Sequence, residues 1–281
     1  MHIKEGFMYN KHNGELVGFC DLGEISNHLI SLEKEYQTHK TAKKQLASTM
    51  MVLMVRSIFT SFIFPYASFP ASNLTGKELV PIFFEALFRR ERCGLNVTSI
   101  TMDGTSVNRK FFTIVGSSSS KPLAYKFSNP INENTEVFFF SDPPHLIKTA
   151  RNCLQNPKRH MEINGKQVSW KHIESLYKKS VETTGLTIIP KIKHEHIYVT
   201  PFSKMRVDLA AQVLSETMAK ALTFHFKEKA EETAKFVKYF DKFFDMFNVT
   251  NYTKCYKERK MFQAPYRMGN DSRLEVINVN K

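Results

Sequence analysis

Apolar and polar residues alternate over short stretches through the first 140 positions. Ile3 to Tyr9 and Leu16 to Leu22 read as the arms of a β-hairpin. Asn13-Gly14 between them predicts a type I′ turn, whose two central residues both need positive φ. Ser31 to Lys44 is charged and polar, the pattern of a solvated linker or exposed helix. Ser48 to Phe59 is dense in Val, Ile, Leu and Met and predicts a buried strand. Thr75-Gly76-Lys77-Glu78 has the form of a capping box, in which the Thr hydroxyl and the Glu carboxylate satisfy amides of a first turn. The helix it opens runs to about Arg92, with Leu79, Phe83, Ala86 and Leu87 on one face; Pro81 should kink it or move its start. Val97 to Met102 predicts a strand ending at Asp103-Gly104, followed by a helix from near Ser106. Val137 to Phe140 predicts another strand, ending at Ser141-Asp142-Pro143-Pro144 before a further helix. Three meandering strands followed by alternating helices and strands is the order of an RNase H-like mixed sheet, so the expected class is α/β with all five strands in one sheet.

From about residue 165 the period changes to that of helices. Lys171 to Lys179, Met205 to Phe226 and Glu228 to Phe247 are the best segments. Phe236, Tyr239, Phe240, Phe243, Phe244 and Phe247 form an aromatic stripe, read as core rather than a cofactor box. The expected organisation is therefore an α/β domain over 1–160 and a mostly helical domain over 165–281. Ser117 to Ser120 reads as a flexible turn.

Composition narrows the classes. A 42% hydrophobic, 24% charged chain of 281 residues buries a core and is not disordered over most of its length. A formal charge of +13 favours a polyanionic partner, because neutralised phosphates release counterions. Cys20, Cys93, Cys153 and Cys255 are too scattered for a zinc site or a disulfide framework, which fits reduced thiols. Met1 to Gly6 has no apolar core of a signal peptide. Met50 to Phe69 is apolar but contains Arg56 and Pro65, so it reads as a buried strand and no membrane span is expected.

Two strand ends carry candidate chemistry. Asp103 stands where open α/β sheets place active sites, its carboxylate suits a hard ion such as Mg²⁺, and Asn108 could orient it. Asp142 is a second metal candidate, although the prolines after it favour a helix N-cap. His145 reads as a buried, hydrogen-bonded histidine; Lys148 and Arg151 read as phosphate contacts or a solvated face.

These residues carry a family resemblance. Met1-His2-Ile3-Lys4-Glu5-Gly6, Val17-Gly18-Phe19-Cys20-Asp21-Leu22-Gly23, Thr101-Met102-Asp103-Gly104 and Asp142-Pro143-Pro144-His145-Leu146-Ile147-Lys148-Thr149-Ala150-Arg151-Asn152 resemble the RNase H-like domain of P-element transposases and the related THAP-domain transposase proteins. Pro190-Lys191-Ile192, the run from Phe202 through Lys204, Arg206 and Asp208 to Ser215, Ala264-Pro265-Tyr266-Arg267 and Asn270-Asp271-Ser272-Arg273 resemble the family's inserted GTP-binding domain. The resemblance implies DNA strand cleavage and strand transfer by a two-metal scheme, with Mg²⁺ and GTP as cofactors, transposon-end DNA as partner, and a nuclear site of action. Self-association is left open. Asp103 resembles the second catalytic acid; the first, expected just before Met1, and the third, a Glu beyond the insertion, are not among these residues. Incomplete chemistry is therefore expected. The sequence contains no GxxxxGK[ST] loop, so Lys204 and Arg206 are the candidates for GTP phosphates and Asp208 or Asp271 for a guanine edge; all four also suit surface or capping roles. Two rival readings are a domesticated DNA- or nucleotide-binding protein without catalysis, and an interaction module whose basic surface is incidental.

Overall fold

A computed structural model describes residues 3–38, 45–116, 125–183, 185, 187–267, 269 and 271–273. The predicted turn at Ser117 to Ser120 lies outside these. The chain divides into two compact units, 1–140 and 141–281.

In the first unit, β1 (Met8–Asn10) and β2 (Glu15–Val17) form the expected hairpin. Its turn differs from type I′. The register pairs Asn10 with Glu15 and leaves a four-residue loop, in which Gly14 has a φ of 70° while Asn13 is not left-handed. Asn10 and Asn13 side chains instead accept from the amides of His12 and Glu15, closing the loop with local Asx bonds. Helix α1 (Glu24–Thr38) begins well before the charged stretch that suggested it; residues 39–44 lie outside the description.

Strand β3 (Thr49–Arg56) pairs antiparallel with β4 (Ile63–Ala71) along its whole length, with a bulge between Leu53 and Met54 where Tyr66, next to Pro65, has no partner in the register. The apolar run from 50 to 69 is thus a hairpin rather than one buried strand, and no helix is long and apolar enough to cross a membrane among the described residues. Single bonds tie the end of the first hairpin to this one: Cys20 N–H to Gln45 O, Ala47 N–H to Gly18 O, and Asp21 N–H to Pro70 O.

Helix α2 (Gly76–Arg92) opens with the capping box and continues past Pro81 to Arg92. Its first residue lies against α3 (Ser106–Val115): a Cβ on Gly76 would come within 2.8 Å of the Phe111 amide nitrogen and 2.9 Å of the Val107 carbonyl. Strand β5 (Ser99–Met102) joins β6 (Lys126–Ser128) and β7 (Glu136–Ser141) in a sheet of order β5-β7-β6. The α/β class and RNase H-like order hold, but the five predicted strands do not share one hydrogen-bonded ladder. The unforeseen β4 takes the partner position on β3, while β5 pairs with β7. The two sheets meet through side chains: Leu79, Phe111, Phe112 and Phe139 form a core that Met51 of β3 and Ile100 of β5 also enter.

The second unit starts with α4 (Pro143–Gln155), then a hairpin of β8 (Met161–Ile163) and β9 (Lys166–Val168), then α5 (Trp170–Glu182) and α6 (His194–Ile197). The span predicted as one helix from Met205 to Phe226 is three: α7 (Pro201–Met205), α8 (Val207–Val213) and α9 (Glu216–Phe226). Thr200 and Ser215 cap the first and third, and Arg206 is the extended corner between α7 and α8. Helices α10 (Glu231–Phe247) and α11 (Tyr252–Glu258) complete the unit. One continuous core joins Ile147, Ile173, Leu176, Leu214, Leu222 and Phe236 with residues from α8 and β9. The aromatic stripe is only partly core. Phe236, Phe240 and Phe244 pack inward, whereas Tyr239 and Phe247 are exposed.

Candidate functional sites

Asp103 follows the last residue of β5, where the chain turns into α3. Its Oδ1 accepts the Thr105 amide at 3.1 Å and the Asn108 side-chain amide at 2.8 Å, and Asn108 also reaches the Asp103 carbonyl at 3.3 Å. The carboxylate is held in one orientation by a residue one helical turn into α3. Among the described residues no three His, Cys, Asp or Glu side chains gather as a metal site. One oriented carboxylate is too few ligands for a hard divalent ion, so these residues alone do not fit Mg²⁺.

Asp142 belongs to the second unit. It is the N-cap of α4, accepting the His145 amide at 3.1 Å, with Pro143 and Pro144 in the first turn where missing amide protons cost nothing. The same carboxylate lies 2.5 Å from His145 Nδ1, which fixes the ring's orientation. His145 is therefore hydrogen-bonded but exposed, not buried. Arg151, further along α4, is neither a solvated face nor a phosphate contact. It is fully buried, donates to the carbonyls of Ser203 and Lys204, and burial lowers its pKa. Asn152 donates to Lys204 O and Gln155 to Ile197 O, so one face of α4 grips the segment leading into α7 and the corner after it.

Of the four sequence candidates for a nucleotide, Arg206 and Asp208 pair with each other, and Asp271 is held by a different partner. Lys204 is exposed at the end of α7. Arg206 is forked onto Asp208, at 2.5 and 3.2 Å, and reaches Glu195 at 3.3 Å; the Arg206 guanidinium holds Asp208 below the usual carboxylate range. Asp271 is buried in a bidentate pair with Arg273, which lowers its pKa. Arg273 also donates to the carbonyls of Phe262, Ala264 and Pro265 and stacks 3.9 Å from the centre of the Tyr266 ring. This closed cage braces the 262–273 segment. Among the described residues no hydrogen bond or ion pair joins Asp271 to Lys204, Arg206 or Asp208.

A cleft of about 430 Å³ in the second unit combines charge and apolar surface in a way sequence reading missed. Its walls come from Ile189 to Ile192, the end of α8, the start of α9, the outer face of α10 and the segment after α11. Lys191, Lys238, Lys242, Arg259 and Lys260 supply positive charge, while Ile189, Ile192, Met218 and Phe262 supply apolar wall. Glu216, Asp241 and Asp245 are its acids. Asp245 is occupied, at 2.8 Å from Lys260 and 2.6 Å from Gln263. Glu216 pairs with Lys220 at 3.2 Å. Among the described residues Asp241 makes no ion pair; burial, then the neighbouring Asp245, push its pKa up to about 6. The residues converge from segments more than 70 positions apart, a juxtaposition that no local motif announces. Pro190-Lys191-Ile192 was the one fragment the sequence singled out.

An RNase H-like α/β unit with an oriented acid at a strand end, followed by a helical unit with a charged cleft, defines a transposase-type architecture. Residues 1–116 match the family model described as TNP-like, RNase H N-terminal domain, and residues 144–260 that described as TNP-like, GTP-binding insertion domain. The chain is 33% identical to the Transposable element P transposase of Drosophila melanogaster over 68% of its own length and 25% of that protein's. It is 23% identical to human DNA transposase THAP9, over 91% of its length and 27% of that protein's. The solved Drosophila P element transposase strand transfer complex matches with a TM-score of 0.73 and 26% identity, covering 99% of this chain and 55% of that one. The chain belongs to the P-element-type transposase family and spans about a quarter of the curated relatives it matches.

Proposed function

We propose that these residues form the part of a P-element-type DNA transposase that supplies one catalytic acid, Asp103, of an RNase H-like strand-cleavage site, together with a nucleotide-binding insertion domain. The observation that carries this reading is the carboxylate held by Asn108 and the Thr105 amide at the end of β5, inside a region matching the RNase H N-terminal model. The proposed boundary between the parts lies near 141–144, where the second compact unit and the insertion-domain match both begin, rather than at 160–165. The proposed partner is DNA, bound through the basic excess, and the proposed site of action is nuclear. The test is oligonucleotide binding and cleavage by the 281-residue polypeptide in Mg²⁺ or Mn²⁺, beside Asp103→Ala. Binding that weakens at least about tenfold between roughly 50 and 200 mM salt, without metal-dependent cleavage, is expected. Cleavage that disappears in Asp103→Ala would show that the site is complete within these residues and overturn the reading of a partial site.

A guanine nucleotide is proposed to occupy the cleft between α9 and α10. The volume suits a small ligand, and its lysines and apolar wall suit phosphates and a base. The GTP-binding insertion model covers nearly all of the cleft's lining. Lys204, Arg206, Asp208 and Asp271 are proposed to act structurally at the α7–α8 corner and in the 262–273 cage. Calorimetric titration with GTP tests this against Lys238→Glu/Lys242→Glu, which should lose most of the affinity; undiminished binding would move the site elsewhere.

A further inference from the structure

We infer that an open groove between α4 and α10 holds an unpaired base of a DNA single strand. The inference rests on the proposal that the chain binds DNA, and it names the form of DNA and the surface that meets it. The groove has a volume of about 840 Å³, within the range of ligand-binding clefts, and shares no lining residue with the nucleotide cleft. Helix α10 serves both: Asp241 and Lys242 line the cleft, while Tyr239, Phe240 and Phe243 line the groove. Leu146 and Ala150 of α4 complete the apolar floor. Phe240 and Phe243 are half-buried and meet edge to face, with ring centres 6.3 Å apart. Tyr239 is 62% exposed, and among the described residues its hydroxyl has no hydrogen bond. The core accounts for Phe236 and Phe244 of the aromatic stripe, but not for an exposed Tyr239 above Phe240 and Phe243 in a concave surface.

Charge decides the occupant. Among the described residues no carboxylate lines the groove, although acids line the cleft on the other side of α10. Lys158-Arg159-His160 is a basic run leading into β8, and Arg159 and His160 line the groove. Arg159 is exposed and donates one N–H to Cys153 Sγ at 3.1 Å. Among the described residues it is in no ion pair, so the rest of its fork of donors remains for a phosphate. His160 is exposed beside it, also without a side-chain partner among the described residues. An aromatic floor next to cationic side chains is the combination that binds single-stranded nucleic acid: bases stack on the rings while the backbone follows the charge. A duplex cannot use such a floor, because its base faces are stacked on one another and only their edges reach the grooves. An aromatic peptide side chain would fill the floor but bring no phosphate to Arg159 and His160.

The experiment is fluorescence anisotropy of the whole polypeptide with labelled oligonucleotides of about 12 nucleotides, long enough for a single-strand site. The probes are oligothymidylate, the same backbone with abasic sites in place of its bases, and a blunt duplex. The proteins are the parent, Tyr239→Ala, Tyr239→Phe, Arg159→Glu and, as a charge control at the end of α5, Lys179→Glu. Oligothymidylate should bind the parent at least about tenfold more tightly than the abasic strand, because stacking is lost with the bases. Tyr239→Ala should weaken oligothymidylate about tenfold and leave the abasic strand and the duplex within about twofold of the parent. Tyr239→Phe, which keeps the ring, should restore the parent value. Arg159→Glu should weaken both single strands more than Lys179→Glu does and flatten their salt dependence. Photocrosslinking of an iododeoxyuridine oligonucleotide to Tyr239, Phe240 or Phe243 of the parent supplies a readout that depends on no variant. Equal affinity for oligothymidylate and the abasic strand, equal losses of single strand and duplex in Tyr239→Ala, or crosslinks confined to other residues overturns the inference while duplex binding leaves the DNA proposal standing. A parent that binds none of the probes overturns both.

Discussion

The two compact units, nearly equal in length, bury very different amounts of apolar surface. The second has more than twice as many buried apolar side chains among the described residues, joined in one core from α4 to α10. The first gathers most of its fewer buried residues into two small clusters and exposes large side chains along β1, β2, β3 and β4. The difference lies in geometry. Helices of the second unit bury a wide stripe each, whereas the short two-stranded ladders of the first cover one face at most. A unit held by a deep core tolerates exposed charge in a cleft. A unit with thin clusters depends on single close contacts.

The largest expected effect follows from the deeper core. Leu222 on α9 is fully buried among Leu176, Leu214 and Phe236. Leu222→Ala should cost about 2–5 kcal/mol, the transfer of the lost carbons plus the cavity left behind. Denaturant unfolding followed by hydrogen exchange at α9 and α10 measures it. A loss below about 1 kcal/mol would mean that this core relaxes freely and the contrast between the units is weaker than their burial implies.

The second prediction tests dependence on one contact in the first unit. Gly76→Ala improves helix propensity by up to about 1 kcal/mol, which favours the variant. Against this, the new Cβ would press on the backbone of α3 at Phe111 and Val107, rigid atoms that cannot swing away. Overpacking of that kind costs about 1–3 kcal/mol, so net destabilisation is expected in equilibrium unfolding. A stabilised variant would show that α2 and α3 separate without penalty.

The contrast between the units also explains what was legible from sequence. Element types and order were read from apolar periodicity, and the capping box at Thr75 and Glu78 forms as its residues require. The same Asn-Gly signal led to opposite outcomes at two hairpins. At Asn164-Gly165, which drew no attention, both residues have positive φ, 52° and 74°, in a two-residue turn. At Asn13-Gly14 Asx bonds lengthen the loop to four residues. Strand β4 escaped because Pro65 and Pro70 argue against a central strand; the fold places Pro65 next to a bulge, and β4 pairs with β3 alone. Asp103 was legible because a strand end is a local feature. The cleft was not: Lys191, Glu216, Asp241 and Lys260 lie on four separate segments, and only packing of α9 on α10 brings them together. Asp271 looked available in sequence because its burial against Arg273 depends on carbonyls from 262 to 265.

The smallest expected effect concerns the exposed tip of the β3–β4 hairpin. Phe59 is 95% exposed, and its amide donates to the Ser57 hydroxyl at 3.3 Å. The ring therefore contributes almost no burial, and Phe59→Ser should change unfolding free energy by less than about 0.5 kcal/mol. Its colloidal effect should be larger. Ile58, Phe62 and Phe64 are also exposed on or beside this tip, next to a two-stranded ladder whose edges can pair with another chain. Replacing Phe59 removes the most protruding apolar side chain of that patch. Light scattering across a concentration series should show less self-association for Phe59→Ser, with an unchanged denaturation midpoint. A lowered midpoint would mean that Phe59 is covered in solution, and that the first unit buries more apolar surface there than the contrast with the second unit allows.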